Sequence, residues 1–226
     1  MYTDVTRKNS SGANVLGLDW KIGLLNNRLF SNGQIVRSNA NESGDAFRFN
    51  IGYKNATWWE SRFWLGSYDD KFDINDLGYL RRNDMTWSGM MFKIRRLEPI
   101  GYFLGSSFEI KLNKKWGIDD ILIEDELSIE TWTLLKNYWR FGLNSFIKQP
   151  AYNDEDIFRD DNAWVYETEK FWYNGFWIKS DRRKKLILSI WQEVAFGVQK
   201  QFFKIFKVEL RLNQVICCVL YTSQSP

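Results

Sequence analysis

Apolar and polar residues alternate along most of the chain, which is the period of a β-strand with one face of each kind. The clearest alternations lie at 16–24, 47–53, 104–112 and 139–148. Less regular ones lie near 28–37, 57–68, 85–96, 121–134, 164–179, 185–198 and 202–212. No stretch has a persuasive helical period. The pattern therefore predicts an all-β protein with about eleven strands.

The length of these strands indicates a transmembrane type of sheet. The regular alternations last nine or more residues, whereas strands of soluble domains have about five or six and membrane-spanning strands need about 9–11. Short connectors mostly alternate with longer ones, which lie near 38–44, 68–83, 113–120 and 149–163. That asymmetry is typical of outer-membrane barrels. We predict an antiparallel up-and-down meander that forms part of a transmembrane-type β-barrel.

A soluble antiparallel sandwich or barrel is the alternative architecture. Its strands would be shorter and its turns would follow one another at about 8–12 residues. The repeat in this chain is nearer to about 18–20 residues for one strand and its connector. The alternative also predicts that apolar faces pack against each other, whereas the membrane barrel predicts that they face lipid while polar residues line a wet lumen.

Aromatic residues make up 17% of the chain. Those at the ends of predicted strands suit the two interfacial girdles of a membrane barrel. The candidate girdle residues are Trp58, Trp59, Trp116, Tyr138, Trp139 and Trp164. The pairs Trp58–Trp59 and Trp172–Trp177 could instead stack on sugars, but girdle or lipid-facing packing is the preferred interpretation at strand positions.

Composition removes several kinds of chemistry. The chain has no histidine, so His-based triads, His-containing zinc sites and imidazole acid–base catalysis are excluded. The net charge is only +3. The chain has one dense basic run, at 182–185, which we interpret as a solvated turn. We therefore expect no nucleic-acid partner. No phosphate loop, CxxC or nucleophile elbow occurs. We expect no cofactor, no metal ion and no catalytic residue.

The densest polar constellation lies between two predicted strands. Its members are Asp73, Asn75, Asp76, Gly78, Arg81, Arg82 and Asp84. We interpret it as a structural loop, held by Asp side chains that bond backbone amides and by Asp–Arg pairs. The alternative is a paired-carboxylate glycosidase using Asp73 and Asp76. A second acidic stretch, at 154–161, could hold calcium but lacks EF-hand spacing, so a solvated loop is the preferred interpretation.

The same loop carries a family resemblance. The stretch FDINDLGYLRRND at 72–84, supported by 14–19, 44–47 and 136–139, resembles an uncharacterised family of outer-membrane proteins. Members of that family carry a C-terminal β-barrel region of unknown function, preceded by a family-9-like carbohydrate-binding module. The resemblance covers roughly residues 3–214.

The resemblance implies a location and a function. We expect residues 1–214 to be one partial barrel region in the cell outer membrane, with residues 215–226 a tail that does not match. Outer-membrane lipid is the expected partner, and a carbohydrate-type solute is the expected ligand for non-enzymatic surface binding or passage. The chain shows neither the sugar-binding module nor a signal peptide, so we expect it to be a fragment. The alternative function is a soluble carbohydrate-active β-domain that binds or hydrolyses glycans through Asp73 and Asp76.

Overall fold

The computed structural model describes residues 2–5, 13–40, 42–54, 58–75, 80, 82–154, 165–197, 201–212 and 215–221. Apart from one 3-10 turn at Ile118–Asp120, the regular elements are strands. They are β1 (Tyr2–Val5), β2 (Ala13–Leu24), β3 (Leu29–Asn39), β4 (Ser43–Lys54), β5 (Trp59–Tyr68), β6 (Met85–Arg96), β7 (Phe103–Trp116), β8 (Leu122–Leu135), β9 (Arg140–Lys148), β10 (Ala151–Asn153), β11 (Tyr166–Thr168), β12 (Phe171–Lys179), β13 (Leu186–Gly197), β14 (Gln201–Leu212) and β15 (Val215–Tyr221).

Thirteen strands form one antiparallel sheet in which nearly every strand pairs with the next one along the chain. The exception is the step from β9 to β12, because β10 and β11 form a separate hairpin. The prediction of an all-β antiparallel meander is confirmed. Its eleven long strands, of 9–14 residues, are β2–β9 and β12–β14, each overlapping a predicted strand.

The structure differs from the sequence prediction in three details. The predicted strand at 164–179 is the short β11 followed by β12. The connectors predicted as long at 38–44 and 113–120 are short, because the strands beside them extend further than the alternation indicated. Residues 215–221, which the sequence predicts to be a tail, form β15 and pair with β14.

Register places two chemically different faces on the sheet, because directly paired residues project to the same side. We call the side that carries Leu18, Ile51 and Met90 the apolar face and the opposite side the polar face. Large hydrophobic side chains on the apolar face are strongly exposed, for example Leu18 at 66% and Met90 at 52%. The others include Leu16, Ile22, Leu24, Ile35, Phe47, Phe63, Phe92, Ile94, Phe108, Leu112, Leu143, Trp172, Phe176, Leu186, Phe196, Phe206, Leu210 and Leu212.

The polar face carries glycine, serine and paired charges. Every described residue of the large sheet that is buried lies on this side. Cross-strand ion pairs join Lys93 to Glu109 at 3.0 Å and Lys115 to Glu124 at 2.6 Å. Long side chains lean over small neighbours and bury them, so burial here arises within one layer rather than from a second sheet.

Among the described residues, no second sheet and no helix covers either face of the large sheet. Packing runs between neighbouring strands, and the additional contact of note is β10 against β8. The strand order extends from β1 at one edge to β15 at the other. Within the described part of the chain, no helix is long and apolar enough to cross a membrane. Because no second sheet or helix covers the apolar face, its large hydrophobic side chains stay exposed in the described part of the chain.

Candidate functional site

The polar constellation lies on the connector between β5 and β6. We call its described residues, 69–75, 80 and 82–84, the signature loop. Phe72 anchors it, because this side chain is only 3% exposed and its ring stacks on that of Tyr68 at 5.7 Å between centroids. The backbone at Phe72 lies directly against Gly44, where a Cβ atom would overlap it. The loop is thus fixed on the first residues of β4 and the last residue of β5 by a close backbone approach and an aromatic side chain.

Asp73 and Asn75 close a turn within the signature loop. The carboxylate of Asp73 accepts hydrogen bonds from the backbone N–H and the side-chain amide of Asn75, both at 2.8 Å. The backbone N–H of Asp73 donates to Ser38 Oγ at 3.0 Å, and Asn75 Oδ1 accepts from the N–H of Leu80 at 3.0 Å. This is the hydrogen bonding of an Asx turn. Asp73 therefore acts on the loop's own backbone, as in the structural interpretation of this segment.

The remaining members of the constellation have different positions. Asp76, Gly78 and Arg81 lie outside the described residues, so the structure does not place the second carboxylate of the glycosidase hypothesis. Asp84 has a positive φ of 49° at the end of the loop, where its N–H donates to the carbonyl of Asp69 at 3.3 Å.

Carboxylates crowd together where the signature loop meets the turn after β7. Burial is the main cause that raises the pKa of Asp84 above its ordinary value. Nearby carboxylates on Asp70, Asp119 and Asp120 raise this pKa further, and the Arg82 guanidinium opposes them. This end of the sheet therefore carries concentrated negative charge around one partly buried carboxyl group.

Arg82 joins the signature loop to Asp154, the residue that follows β10. Its guanidinium donates two hydrogen bonds to the carboxylate of Asp154, one to each oxygen, and the Nη1–Oδ1 distance is 2.8 Å. The side chains are only 15% and 2% exposed. Gly117 lies against both partners, and a Cβ atom there would overlap them. Asp154 belongs to the acidic stretch that could hold calcium, but its carboxylate binds the Arg82 guanidinium. The other acidic residues of that stretch, at 155–161, lie outside the described residues.

A cavity of about 250 Å³ lies between the signature loop and the polar face of β2–β5. The loop contributes Phe72, Ile74 and Leu80 to its wall, while Asp19 and Arg48 project from the sheet. The signature loop is therefore more than a connector, because it closes an amphipathic cavity over one end of the polar face.

Replacing Gly44 with alanine tests how firmly the loop is fixed. The new Cβ would overlap the backbone of Lys71 and Phe72, so the loop must move. Overpacking of this kind costs about 1–3 kcal/mol. We expect faster amide hydrogen exchange at 69–75 in Gly44→Ala, measured by mass spectrometry. Gly17→Ala on the same face is the control, because its Cβ would make ordinary contacts at 3.7–3.8 Å; equal exchange in both variants would contradict the anchor.

Tryptophans form a row across the polar face of the later strands. Trp132, Gly142, Trp177 and Trp191 are paired in direct register from β8 through β9 and β12 to β13. A cavity of about 270 Å³ lies beside Trp177 and Trp191. Trp172 projects to the opposite, apolar face. The hypothesis that Trp172 and Trp177 stack together on a sugar is therefore wrong, because residues five apart in a strand face opposite sides.

One family model matches almost the entire chain. The model describes a domain of unknown function, DUF5916, and the match covers residues 1–223. The chain belongs to the DUF5916 family. No curated protein matches it, and neither does any solved structure. The DUF5916 match includes both the signature loop and β15, so it extends beyond residue 214, where we expected the resemblance to end.

The candidate girdle residues of this DUF5916 chain lie near strand ends. Trp59 begins β5 and stacks on Tyr53 at 4.6 Å, with Trp58 beside it at 6.2 Å. Tyr138 and Trp139 precede β9 at the same end of the sheet. Trp116 ends β7 at the other end, and Trp164 lies outside the described residues.

The basic run of this DUF5916 chain forms the exposed turn between β12 and β13, as predicted. Arg183 donates to both carboxylate oxygens of Asp181, at 2.9 and 2.8 Å. Hydrogen bonding by this guanidinium lowers the pKa of Asp181 to about 2. Arg183 also lies over the ring of Tyr138 at 3.1 Å, which ties this turn to the one between β8 and β9.

Proposed function

We propose that this chain is a membrane-spanning segment of a non-enzymatic outer-membrane β-barrel that binds or passes a carbohydrate-type solute. The observation that carries the proposal is the unpartnered apolar face. Soluble monomers rarely expose contiguous apolar patches larger than a few hundred Å². Here exposed Leu, Ile, Phe and Met side chains extend over strands from β2 to β14.

Lipid is the cover that fits this face best. Burying apolar surface is worth about 25 cal/mol per Å², and acyl chains provide such burial without any second protein layer. Strand length agrees: β5 has 10 residues, which span about 33 Å at 3.3 Å per residue. A tilt of about 40° reduces this to about 25 Å, the height of the apolar band of outer-membrane barrels.

The charges on the opposite face support a water-lined lumen. Lys148 Nζ lies 3.6 Å from the carboxylate of Glu126 on the neighbouring strand. The pairs Lys93–Glu109 and Lys115–Glu124 also join neighbouring strands on this face. Such pairs are costly in a dry core but are compatible with a wet interior. A uniformly paired sheet is also what lipid demands, since it offers no hydrogen bonds to the backbone.

The carbohydrate part of the proposal depends on two supports. The first is the resemblance to proteins that carry a family-9-like carbohydrate-binding module. The second is the presence of tryptophan side chains on the polar face. The alternative, a soluble carbohydrate-active domain using Asp73 and Asp76, has less support, because the carboxylate of Asp73 accepts two hydrogen bonds from Asn75 within the loop.

Membrane fractionation of the full-length protein tests the proposal. We expect the protein in the outer-membrane fraction, resistant to carbonate extraction. On a denaturing gel, the unheated sample should migrate differently from the boiled one, because closed barrels stay folded in detergent. Recovery in the soluble fraction, with no difference between the two samples, would contradict the proposal.

A further inference from the structure

Different polar residues flank the tryptophan row on its two sides along the strand direction. Toward one strand end, the adjacent row of the face contains Arg140 and Lys179, which are directly paired. Toward the other end, it contains Asn144 and Glu193, which flank Gly175. Rows on one face are about 6.6 Å apart, twice the rise per residue. Hydrogen-bond donors thus lie on one side of the tryptophans, and an amide and a carboxylate lie on the other.

The indole of Trp177 lies on the backbone at Gly142. A Cβ atom at Gly142 would overlap the ring, so only glycine allows this close approach. One side of the indole is therefore covered by the sheet, and the cavity of about 270 Å³ is next to the ring. Trp191 is its direct neighbour on β13. Together the two side chains make a broad aromatic surface at this cavity.

Three cations lie close to the rings of the tryptophan row. Lys179 Nζ lies 5.2 Å from the ring centroid of Trp177 and 5.1 Å from that of Trp191. Lys207 Nζ is 5.5 Å from the Trp191 ring, and the Arg140 guanidinium is 4.9 Å from that of Trp132. Among the described residues, none of these three cations lies within 4 Å of a carboxylate oxygen, and Lys179 also lines the cavity.

We infer that the cavity beside Trp177 and Trp191 binds an uncharged saccharide residue. The aromatic surface takes the apolar C–H face of the sugar ring, Lys179 donates to its hydroxyl groups, and Asn144 and Glu193 accept from them. This inference deepens the proposed function and rests on it, because the polar face lines a lumen that solutes can enter only when the apolar face is in lipid.

The chemistry of the lining selects this ligand class over two others. A purely anionic ligand would meet the carboxylate of Glu193, which lines the same cavity as Lys179. A purely apolar ligand would cover Asn144 and Lys179 without offering them hydrogen bonds, and unpaired polar groups are costly. A polyhydroxylated ring satisfies both the aromatic surface and the donors and acceptors around it.

Calorimetric titration of the full-length protein, folded in detergent micelles, tests the inference. The probes are maltohexaose and cellohexaose, with an oligogalacturonate as the acidic ligand and sorbitol as the polyol without a ring. We expect saturable binding of a neutral oligosaccharide and none of sorbitol. Trp177→Ala and Trp191→Ala should each weaken binding at least about tenfold, which corresponds to 1.4 kcal/mol.

Trp20→Ala is the matched control. Trp20 also lies on a glycine, Gly33, but on the apolar face, so its loss should leave the affinity unchanged. Glu193→Gln and Lys179→Met keep side-chain volume, and they should weaken binding even if a tryptophan variant fails to fold.

Three results would overturn the inference: no binding of either neutral oligosaccharide, equal losses in Trp20→Ala and Trp177→Ala, or binding of the oligogalacturonate alone. The last would indicate an anion site at Lys179. A protein that fractionates with the outer membrane but binds no saccharide contradicts this inference alone. A protein found in the soluble fraction contradicts the proposed function, whatever it binds.

Discussion

A glutamate at position 90 is expected to prevent stable insertion of the chain, whereas a glutamate at position 91 is tolerated. Met90 lies on the apolar face between Phe63 and Leu112 of the neighbouring strands. Met91 lies on the polar face between Arg62 and Lys111, which would pair with a carboxylate. The two substitutions are identical in chemistry and adjacent in the chain, so the difference between them reports which face meets lipid.

The expected cost of Met90→Glu is about 2 kcal/mol or more, because a charge on the lipid side must be dehydrated or drawn to the interface. Folding into lipid vesicles, followed by the heat-dependent shift on a denaturing gel, measures the folded fraction. We expect little folded protein for Met90→Glu and a wild-type fraction for Met91→Glu. Equal folded fractions for the two variants would contradict a lipid-facing apolar side.

Removal of the Arg82 guanidinium is expected to produce the other large effect. Asp154 is 2% exposed, so Arg82→Ala leaves a buried carboxylate without its bidentate partner. Breaking a buried ion pair from one side costs about 3–5 kcal/mol. We expect a loss of this size in the free energy of unfolding from urea titration of the detergent-folded protein. The double variant Arg82→Met with Asp154→Leu should recover most of it, since both charges are then absent.

Arg37→Ala is the control for this prediction. Arg37 faces Asp45 at 3.8 Å, and these side chains are 58% and 61% exposed, so the pair should contribute about 0–1 kcal/mol. A loss for Arg82→Ala no larger than for Arg37→Ala would show that the Arg82–Asp154 pair does not hold the two connectors together. The difference between the two losses therefore measures what burial and bidentate geometry add to an Arg–Asp pair.

The fold followed from sequence wherever one face of a strand differs chemically from the other. Residues 47–53 alternate strictly, and they lie within β4. Alternation could not reveal β15, because Val215–Tyr221 is apolar throughout, nor β1, which has only 4 residues. Both are edge strands whose backbone pairing, rather than side-chain pattern, places them in the sheet.

The candidate site was less predictable, because its contacts join distant parts of the chain. The turn of Asp73 and Asn75 is local, and residue type and spacing suggested it. Arg82 and Asp154 are 72 positions apart, so no spacing could indicate their pairing. The Trp132–Trp191 row depends on the register of four strands, and residues 171–179 carry aromatics on both faces, which hides the polar side in the sequence.

The consecutive strand order has a consequence for how such a sheet can be assembled and changed. Almost every strand finds its partner within the next few dozen residues, so most pairings close only a short loop and lose little chain entropy. A hairpin can therefore be added to or deleted from the meander without rerouting any other connection. The β10–β11 hairpin, inserted between two strands that still pair with each other, is an example of such an addition at a loop. Growth by hairpins therefore allows sheets of this topology to differ in strand number while the remaining connections stay the same.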